Sequence, residues 1–203
     1  MESRSIPRRR AEREFRLSWL LDAAEATFLE RGFAGASVDD IAARAEVALG
    51  TLYKVFPSKE ELFAQVMERR MGRFLDIVRA ASSAGSPTQR LESLVHATFR
   101  HFSEHNAAFR LYLAVTHGLP WLIRSQLGVA AATRYGDLVS EVEALCRGAL
   151  PAPRRRLART TALAFVGTLN ASVGDWIERA DGRPADSMAA ETWTVLRRLL
   201  PGS

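Results

Sequence analysis

Apolar residues recur three and four positions apart along almost all of this 203-residue chain, in segments separated by short breaks rich in Gly, Pro, Ser or Asn. Such spacing places the apolar side chains on one face of an α-helix. No convincing strand pattern and no internal repeat is present. We therefore expect an all-α fold, with helices at about 14–31, 37–45, 48–55, 58–81, 88–104, 107–115, 120–147, 154–180 and 187–200.

Composition limits the class of protein. With 47% hydrophobic and 25% charged residues, the chain can bury a core. No apolar run approaches the ~18 uncharged residues that a membrane span needs, and the first residues lack the apolar core of a signal peptide, so we expect a cytoplasmic protein without a membrane partner. The single cysteine, Cys146, excludes an internal disulfide framework and a cysteine-rich zinc site. We expect no cofactor and no metal.

The formal net charge of +5 points towards nucleic acid, but basic and acidic residues are mixed in both halves of the chain. The exception is the N-terminus, where six arginines lie within the first 16 residues against three glutamates. Such an arm could follow DNA phosphates or enter a minor groove. The alternative is a disordered, solvated tail.

Two short helices joined by a tight turn are predicted between residues 37 and 56. Ser37 is expected to cap the first of them, with Asp40 returning the bond three residues later. The second helix carries Leu52 and Phe56 towards the same core. This arrangement is typical of a helix-turn-helix.

The stretch from Leu20 to Glu68 resembles the tetracycline-repressor (TetR) family of bacterial regulators. The residues that carry the resemblance are Ala24, Phe28, Gly32, Phe33, Ser37, Ile41, Ala42, Ala45 and, above all, the run GTLYKVFPSKEELF from Gly50 to Phe63. The resemblance implies an all-helical homodimer. Residues 1–57 would form a three-helix helix-turn-helix domain that binds an inverted-repeat operator in double-stranded DNA. Residues 58–203 would form a helical bundle that binds an effector and dimerises, with ligand binding releasing the DNA.

By position, the resemblance implies phosphate contacts from Thr51, Tyr53 and Lys59, and a base-contacting edge at the start of the third helix. Small residues there, Ala48 and Gly50, let the backbone approach DNA closely. The whole predicted DNA-binding set is Ser37, Val38, Ala48, Leu49, Gly50, Thr51, Tyr53, Lys54 and Lys59.

Three positions depart from the residues that are usual in the family. Glu46 stands where a turn glycine is common, Ala48 where a serine often caps the third helix, and Val55 where an aromatic residue or histidine is frequent. Loss of a serine cap leaves a helix less stable by ~1 kcal/mol. We therefore expect docking on the first two helices to hold the third in place.

The middle of the chain is rich in aromatic residues with a few polar atoms among them, a composition typical of ligand pockets and equally of ordinary helical cores. The better ligand-binding candidates pair an apolar body with a polar tip. A hydrophobic or aromatic effector is the prediction. The predicted ligand-binding set is Phe99, Phe102, Phe109, Tyr112, His117, Trp121 and Asn170.

Small residues recur three and four apart in the helix predicted at 154–180, and small residues allow helices to approach closely. The alternatives are a two-fold dimer face and close packing within one subunit. Together with the family resemblance, the stripe favours the dimer. The predicted dimerisation set is Ala164, Gly167, Ala171, Gly174, Trp193 and Leu196.

Two other functions remain open. His101, Glu104 and His105 match the H-x-x-E-H pattern of zinc hydrolases, which puts both histidines on one helical face, but Asn106 follows at once and looks like a helix end. The second is an architectural DNA-binding protein without an effector, against which the aromatic-rich middle argues. The favoured interpretation is a ligand-responsive transcriptional regulator, a repressor, and not an enzyme; its effector and operator cannot be named from the sequence.

Overall fold

The computed structural model describes residues 5–116 and 122–200, with side chains from Arg10 onwards. Within these ranges the chain is helical and contains no strand, which confirms the all-α prediction. No helix there is long and apolar enough to cross a membrane. The α-helices of the described ranges are α1 (Ser5–Gly35), α2 (Val38–Arg44), α3 (Leu49–Val55), α4 (Lys59–Ala81), α5 (Pro87–Glu104), α6 (Asn106–Thr116), α7 (Ile123–Ala149), α8 (Ala158–Arg179) and α9 (Ala185–Leu196), with short 3-10 helices at Ala152–Leu157 and Arg197–Leu199.

The chain divides into two compact units, an N-terminal unit (Met1–Arg69) and a C-terminal unit (Arg70–Ser203). The division lies inside α4, and not after Pro57 as the sequence suggested. The reason is aromatic packing, because the first half of α4 shares the core of α1. The ring of Phe63 in α4 packs edge-on against Phe28 in α1, with 5.1 Å between the ring centroids.

The predicted starts of α2 and α4 are confirmed, and each rests on a serine cap. The Ser37 hydroxyl accepts from the Asp40 backbone N–H at 3.0 Å, and the Asp40 side chain completes the capping box. At α4 the Glu61 backbone N–H donates to Ser58 Oγ at 3.1 Å. These bonds satisfy donors that a helix start otherwise leaves open.

Helix α1 is longer than its apolar spacing predicted. It was expected from about Glu14, and it begins at Ser5, so residues 5–13 continue the helix instead of forming a disordered tail. Gly32 interrupts its last turns with φ +69°, the left-handed backbone expected there. Phe33 then folds back, and its ring lies 6.0 Å from that of Phe28.

In the C-terminal unit, α5 packs against α7 and α9, and α7 packs against α8. Arg79, in the second half of α4, donates from Nε to both carboxylate oxygens of Glu141 in α7, at 2.8 and 3.1 Å. Helix α7 is kinked at Gly128, where φ is +87°. Cys146 is fully buried, and burial raises the pKa of its thiol to about 11, so it behaves as a small apolar residue.

The turn between α2 and α3 contains a strained residue. Glu46 has φ +52°, a left-handed conformation in a residue that carries a Cβ atom. Next to it, the indole N–H of Trp19 in α1 donates to the carbonyl oxygen of Ala45 at 3.0 Å. The side chain of Trp19 therefore helps to hold the turn at the position where glycine would fit without strain.

We expect Glu46→Gly to stabilise the N-terminal unit by about 0.5–1 kcal/mol, because left-handed backbone costs a non-glycine residue about 1–2 kcal/mol and the greater freedom of glycine in the unfolded chain offsets part of that gain. Glu46→Ala is the matched control, since it removes the carboxylate and keeps the Cβ atom. Denaturant unfolding followed by circular dichroism measures both free energies. An equal gain in both variants would contradict the strain argument.

Candidate functional site

Helix α3 has one buried face and one exposed face. Leu52 is fully buried, and Phe56, which follows the helix as its C-cap residue, is 1% exposed. On the other side Tyr53 is 46% exposed, and Gly50 and Lys54 are also exposed. A Cβ atom built on Gly50 would meet nothing within 4 Å, so packing inside the protein does not require a glycine there. The exposed face is free to meet another molecule.

The remaining predicted residues of this surface lie at the starts of α2 and α3. Ala48 is exposed and gives α3 no side-chain cap, as its missing hydroxyl predicted. Leu49 and Thr51 are half-buried, as are Ser37 and Val38. The Ser37 hydroxyl donates to Asp40 Oδ2 at 2.6 Å, so its hydrogen is already used inside the protein. DNA contacts by this group of residues remain predictions.

Lys59 has a structural role that the sequence did not reveal. Its ammonium donates to the carbonyl oxygens of Phe33 at 3.0 Å and Ala36 at 3.2 Å, and it lies 4.6 Å from the centroid of the Phe33 ring. The start of α4 is thereby tied to the end of α1. A lysine has three N–H donors, so one remains for a phosphate. Removing Lys59 would therefore change both stability and any DNA contact.

Arg69 is a second tie between α1 and α4, and sequence reasoning missed it. Its guanidinium lies 2.6 Å from the Glu25 carboxylate and 2.8 Å from that of Asp22. The side chains of Arg69 and Glu25 are only 17% and 15% exposed. The acidic pair lies beside the apolar face of α1, but its partner comes 44 residues later, and helical spacing cannot specify such a pairing.

In the C-terminal unit the predicted ligand-binding aromatics form a continuous series. The ring centroid of Phe102 lies 5.1 Å from that of Phe74 and 4.6 Å from that of Phe109, which in turn lies 5.6 Å from Tyr112. Phe102, Phe109 and Tyr112 are each at most 8% exposed. This series joins α4, α5 and α6 in one apolar cluster.

The hydroxyl of Tyr112 is the polar feature of this cluster. Among the described residues no group lies in hydrogen-bond geometry with its oxygen, which is buried. Burial raises the pKa of the Tyr112 phenol, and the neighbouring Thr116 hydroxyl offsets part of that rise. Burial, with Tyr112 nearby, raises the pKa of Tyr135 to about 12. The phenol thus lies near the Thr116 side chain but forms no bond of good geometry with a described residue, which costs a buried hydroxyl free energy.

The other predicted ligand residues have separate locations. Phe99 packs on a different ring, that of Trp176, at 5.5 Å. Asn170 is half-buried on α8. His117 and Trp121 lie outside the described residues.

The structure corrects half of the predicted dimerisation set. Trp193 and Leu196 of α9 are 8% and 0% exposed within a single chain. Gly174 is also buried, and a Cβ atom there would lie 3.5 Å from Leu113 and 3.7 Å from Phe109, both in α6. These three residues therefore pack inside one protomer. Small size and apolar character do not distinguish an internal helix contact from a surface.

The other half of that set is on the surface. Ala164, Gly167 and Ala171 are exposed on α8, and they are accompanied by Leu163, which is 48% exposed. We call these four residues the α8 strip. The leucine interrupts the small-residue pattern, and nothing in the apolar spacing indicates that it faces outwards. Dimerisation through the α8 strip remains a prediction.

The H-x-x-E-H motif does not form a metal centre within the described residues. The rings of His101 and His105 are stacked, with centroids 4.6 Å apart and planes at 13°. Burial, with His105 and Arg70 nearby, lowers the pKa of His101 to about 4. In the described ranges no group of three or more His, Cys, Asp or Glu side chains could hold a metal ion. The motif is a pair of packed histidines at the end of α5.

This architecture and sequence are similar to those of known bacterial transcriptional regulators. Residues 20–66 match the family model described as bacterial regulatory proteins, tetR family. The chain is 30% identical over 190 residues to the HTH-type transcriptional activator FasR of Mycolicibacterium smegmatis, a match that covers 92% of this chain and 82% of FasR. It is 40% identical over 86 residues to the HTH-type transcriptional repressor KstR of the same species, covering 42% of each protein. These relatives are transcriptional regulators, a class without enzymatic activity.

Solved structures give the same fold over nearly the whole chain. A TetR-like transcriptional regulator from Rhodococcus sp. RHA1 aligns with a TM-score of 0.70 and 24% identity, covering 93% of this chain and 97% of that one. The regulator FadR from Bacillus subtilis, in complex with stearoyl-CoA, aligns with a TM-score of 0.62 and 21% identity, covering 92% of this chain and 98% of that one.

We expect Lys59→Ala to lower the free energy of unfolding by about 1–3 kcal/mol, because hydrogen bonds from a charged donor are worth about 1.5–3 kcal/mol and this one is partly exposed. Tyr53→Phe and Lys54→Gln, on the exposed face of α3, should stay within about 0.5 kcal/mol of the wild type. Thermal and denaturant unfolding measure all three. A Lys59→Ala protein as stable as the wild type would show that the two carbonyl bonds do not hold α4.

Proposed function

Because the chain belongs to the tetR family of bacterial regulatory proteins, we propose that it is a ligand-responsive transcriptional repressor that binds an inverted-repeat operator as a homodimer. The observation that carries the proposal is that α3 has one buried face and one exposed face. One face is anchored by Leu52, and the other presents Gly50, Tyr53 and Lys54 to solvent. A short helix held from behind in this way fits the major groove of DNA.

On DNA, the exposed residues of α3 take two roles. The Tyr53 hydroxyl and the Lys54 ammonium donate to phosphate oxygens and fix the orientation of the helix. Base edges are met by the start of α3, where the side chain of Leu49 can pack on a thymine methyl group and Gly50 lets the backbone approach closely. Because the phosphate contacts release counterions, affinity falls as salt concentration rises.

The homodimer is supported by the α8 strip. Its small residues allow a second helix to approach closely, and Leu163 gives it apolar area that a monomer would leave in water. A two-fold axis through this surface uses the same residues from both subunits. The two copies of α3 would then meet half-sites about 34–36 Å apart, or a multiple of that distance.

The effector is a hydrophobic molecule bound beside Tyr112. The aromatic series from Phe74 to Tyr112 supplies apolar surface. The Tyr112 hydroxyl, which has no well-formed hydrogen bond within the described residues, can bond a polar group of the effector. The likeness in fold to FadR from Bacillus subtilis, solved with stearoyl-CoA, makes a long-chain acyl thioester the first class to test.

Helix α4 is the element that can pass effector binding to the DNA surface, because it belongs to both units. Its first half is tied to α1 through Arg69 and Glu25, and its second half is tied to α7 through Arg79 and Glu141. A displacement of α7 on effector binding would therefore be passed to α4 and then to α1. Couplings of this kind are typically worth 1–3 kcal/mol.

Transcriptional activation is the second candidate, because FasR, an activator, is similar over most of this chain. Both functions use the same DNA contacts and differ in where the operator lies and in what the bound dimer does to polymerase. A promoter fusion in cells with and without the gene separates them. Expression that rises on deletion supports repression, and expression that falls supports activation.

The proposal predicts specific, salt-sensitive binding to DNA from the protein's own gene neighbourhood, measured by fluorescence anisotropy at two salt concentrations. Tyr53→Phe and Lys54→Gln should each weaken binding about tenfold while leaving stability unchanged. Only Lys54→Gln, which removes a cation, should flatten the salt dependence. Weak binding that ignores sequence would favour the architectural alternative. No binding at all would contradict the proposal.

The same assay tests release by the effector. Stearoyl-CoA at micromolar concentration should lower operator affinity at fixed salt by roughly 5–150-fold, whereas coenzyme A alone should not. Tyr112→Phe is the matched variant, because it removes only the buried hydroxyl and should fold at least as stably as the wild type. It should also respond more weakly to stearoyl-CoA. If stearoyl-CoA neither raises the melting temperature of the wild type nor lowers its affinity for the operator, acyl thioesters are excluded as the effector class.

Gly167→Arg should convert the dimer to a monomer of 22.5 kDa, because the new side chain projects from the α8 strip where a Cβ atom meets nothing within 4 Å. Gly136→Arg is the matched control, since a Cβ atom on this glycine of α7 also meets nothing within 4 Å. Light scattering coupled to gel filtration gives the masses. Dimers of both variants, or a monomeric wild type, would exclude the α8 strip as the interface.

A further inference from the structure

The first turns of α1 extend away from the core of the N-terminal unit. The helix begins at Ser5, and Leu20 is its first buried residue in the described part of the chain. At 1.5 Å per residue this leaves about 20 Å of helix before the core begins. From Arg10 to Trp19 every side chain is exposed except that of Leu17, which is half-buried. We call residues 5–19 the α1 overhang.

The inner end of the overhang lies beside the turn that precedes α3. Its last residue, Trp19, donates its indole N–H to the carbonyl oxygen of Ala45 at 3.0 Å. Ala45 is the C-cap residue of α2, and α3 begins at Leu49, just after the turn. In a helix-turn-helix, base edges are met by the first residues of the second helix. The overhang is therefore rooted next to the surface that would face DNA.

Charge is divided unequally between the overhang and the rest of the N-terminal unit. The overhang contains five arginines and two glutamates, whereas residues 20–69 contain five basic and nine acidic residues. Without the overhang, the unit that carries α3 would be net negative. A net negative unit is a poor partner for a polyanion, because DNA affinity rests largely on cationic side chains at phosphates.

Two of the overhang arginines are available for such contacts. Arg13 and Arg16 are exposed, and neither forms an ion pair with a side chain in the described ranges. Arg10, by contrast, is paired with Glu14 at 2.9 Å. Between the two arginines Phe15 is 74% exposed and touches no core. The surface is basic, and nothing in the described chain covers it.

We propose that the α1 overhang is a second DNA-binding element, in which Arg13 and Arg16 contact the phosphate backbone of duplex DNA that flanks the bases met by α3. The inference rests on the proposed function, because it assumes that α3 lies on DNA. The overhang is about 20 Å long, and successive base pairs are about 3.4 Å apart along the duplex. The overhang is therefore long enough to reach base pairs beyond the half-site.

The test uses the full-length protein and the tightest duplex recovered from a random-sequence selection with the wild type. This duplex is prepared in two lengths, with ten base pairs of flank on each side and with none. The test variant is Arg13→Gln/Arg16→Gln. The matched control is Arg155→Gln/Arg156→Gln, which removes two adjacent exposed arginines from the 3-10 helix of the C-terminal unit. Thermal unfolding verifies that the variants are folded.

We expect the wild type and the control to bind the flanked duplex at least tenfold more tightly than the short one. The test variant should bind both lengths alike and should lose at least tenfold on the flanked duplex. A dimer loses four phosphate contacts in this variant, so the slope of log K against log salt should become shallower by about 3–4.

Other results would overturn the inference and remain distinguishable from failure of the proposed function. Unchanged salt slope and flank dependence in the test variant would leave α3 binding intact and exclude the overhang as a DNA contact. Larger, concentration-dependent complexes that only the test variant fails to form would assign the overhang to contact between adjacent dimers instead. A wild type that selects no duplex would overturn the inference and the proposed function together.

Discussion

The anchoring of α4 on α1 is the interaction on which the rest of the structure depends. Phe63 packs on Phe28, Lys59 binds the carbonyls that end α1, and Arg69 pairs with Glu25. These contacts make the first half of a single 23-residue helix part of the N-terminal unit, while its second half belongs to the C-terminal unit. One continuous helix therefore supplies side chains to the cores of both units.

Helix α3 illustrates how tertiary contacts replace local stability. It has seven residues and no side-chain cap, and an isolated helix of that length would not persist in water. Burial of Leu52 and Phe56 holds it from one side, and the bond from Trp19 to Ala45 holds the turn before it. The strained backbone of Glu46 is tolerated because these contacts over-determine the turn.

The sequence predicts this molecule well wherever the determining contacts are local. The start of α2 follows from Ser37 and Asp40, which lie three residues apart. The end of α5, just before Asn106, was also predicted from the local sequence. Contacts between distant segments were not predictable. Arg69 finds Glu25 across 44 residues, and Gly174 and Trp193 turned out to pack inside the protomer because apolar spacing identifies a shared face but not what that face meets. The length of α1 was missed because its first turns have no apolar face to reveal them.

The separation of faces on α3 has a consequence for how this protein can evolve. Gly50, Tyr53 and Lys54 contribute nothing to the core, while Leu52 and Phe56 carry the docking of the helix. Under the proposed function, substitutions on the outer face would alter which DNA is recognised at little thermodynamic cost to folding. A duplicated copy of the gene could drift towards a new operator without first acquiring a compensating, stabilising mutation elsewhere.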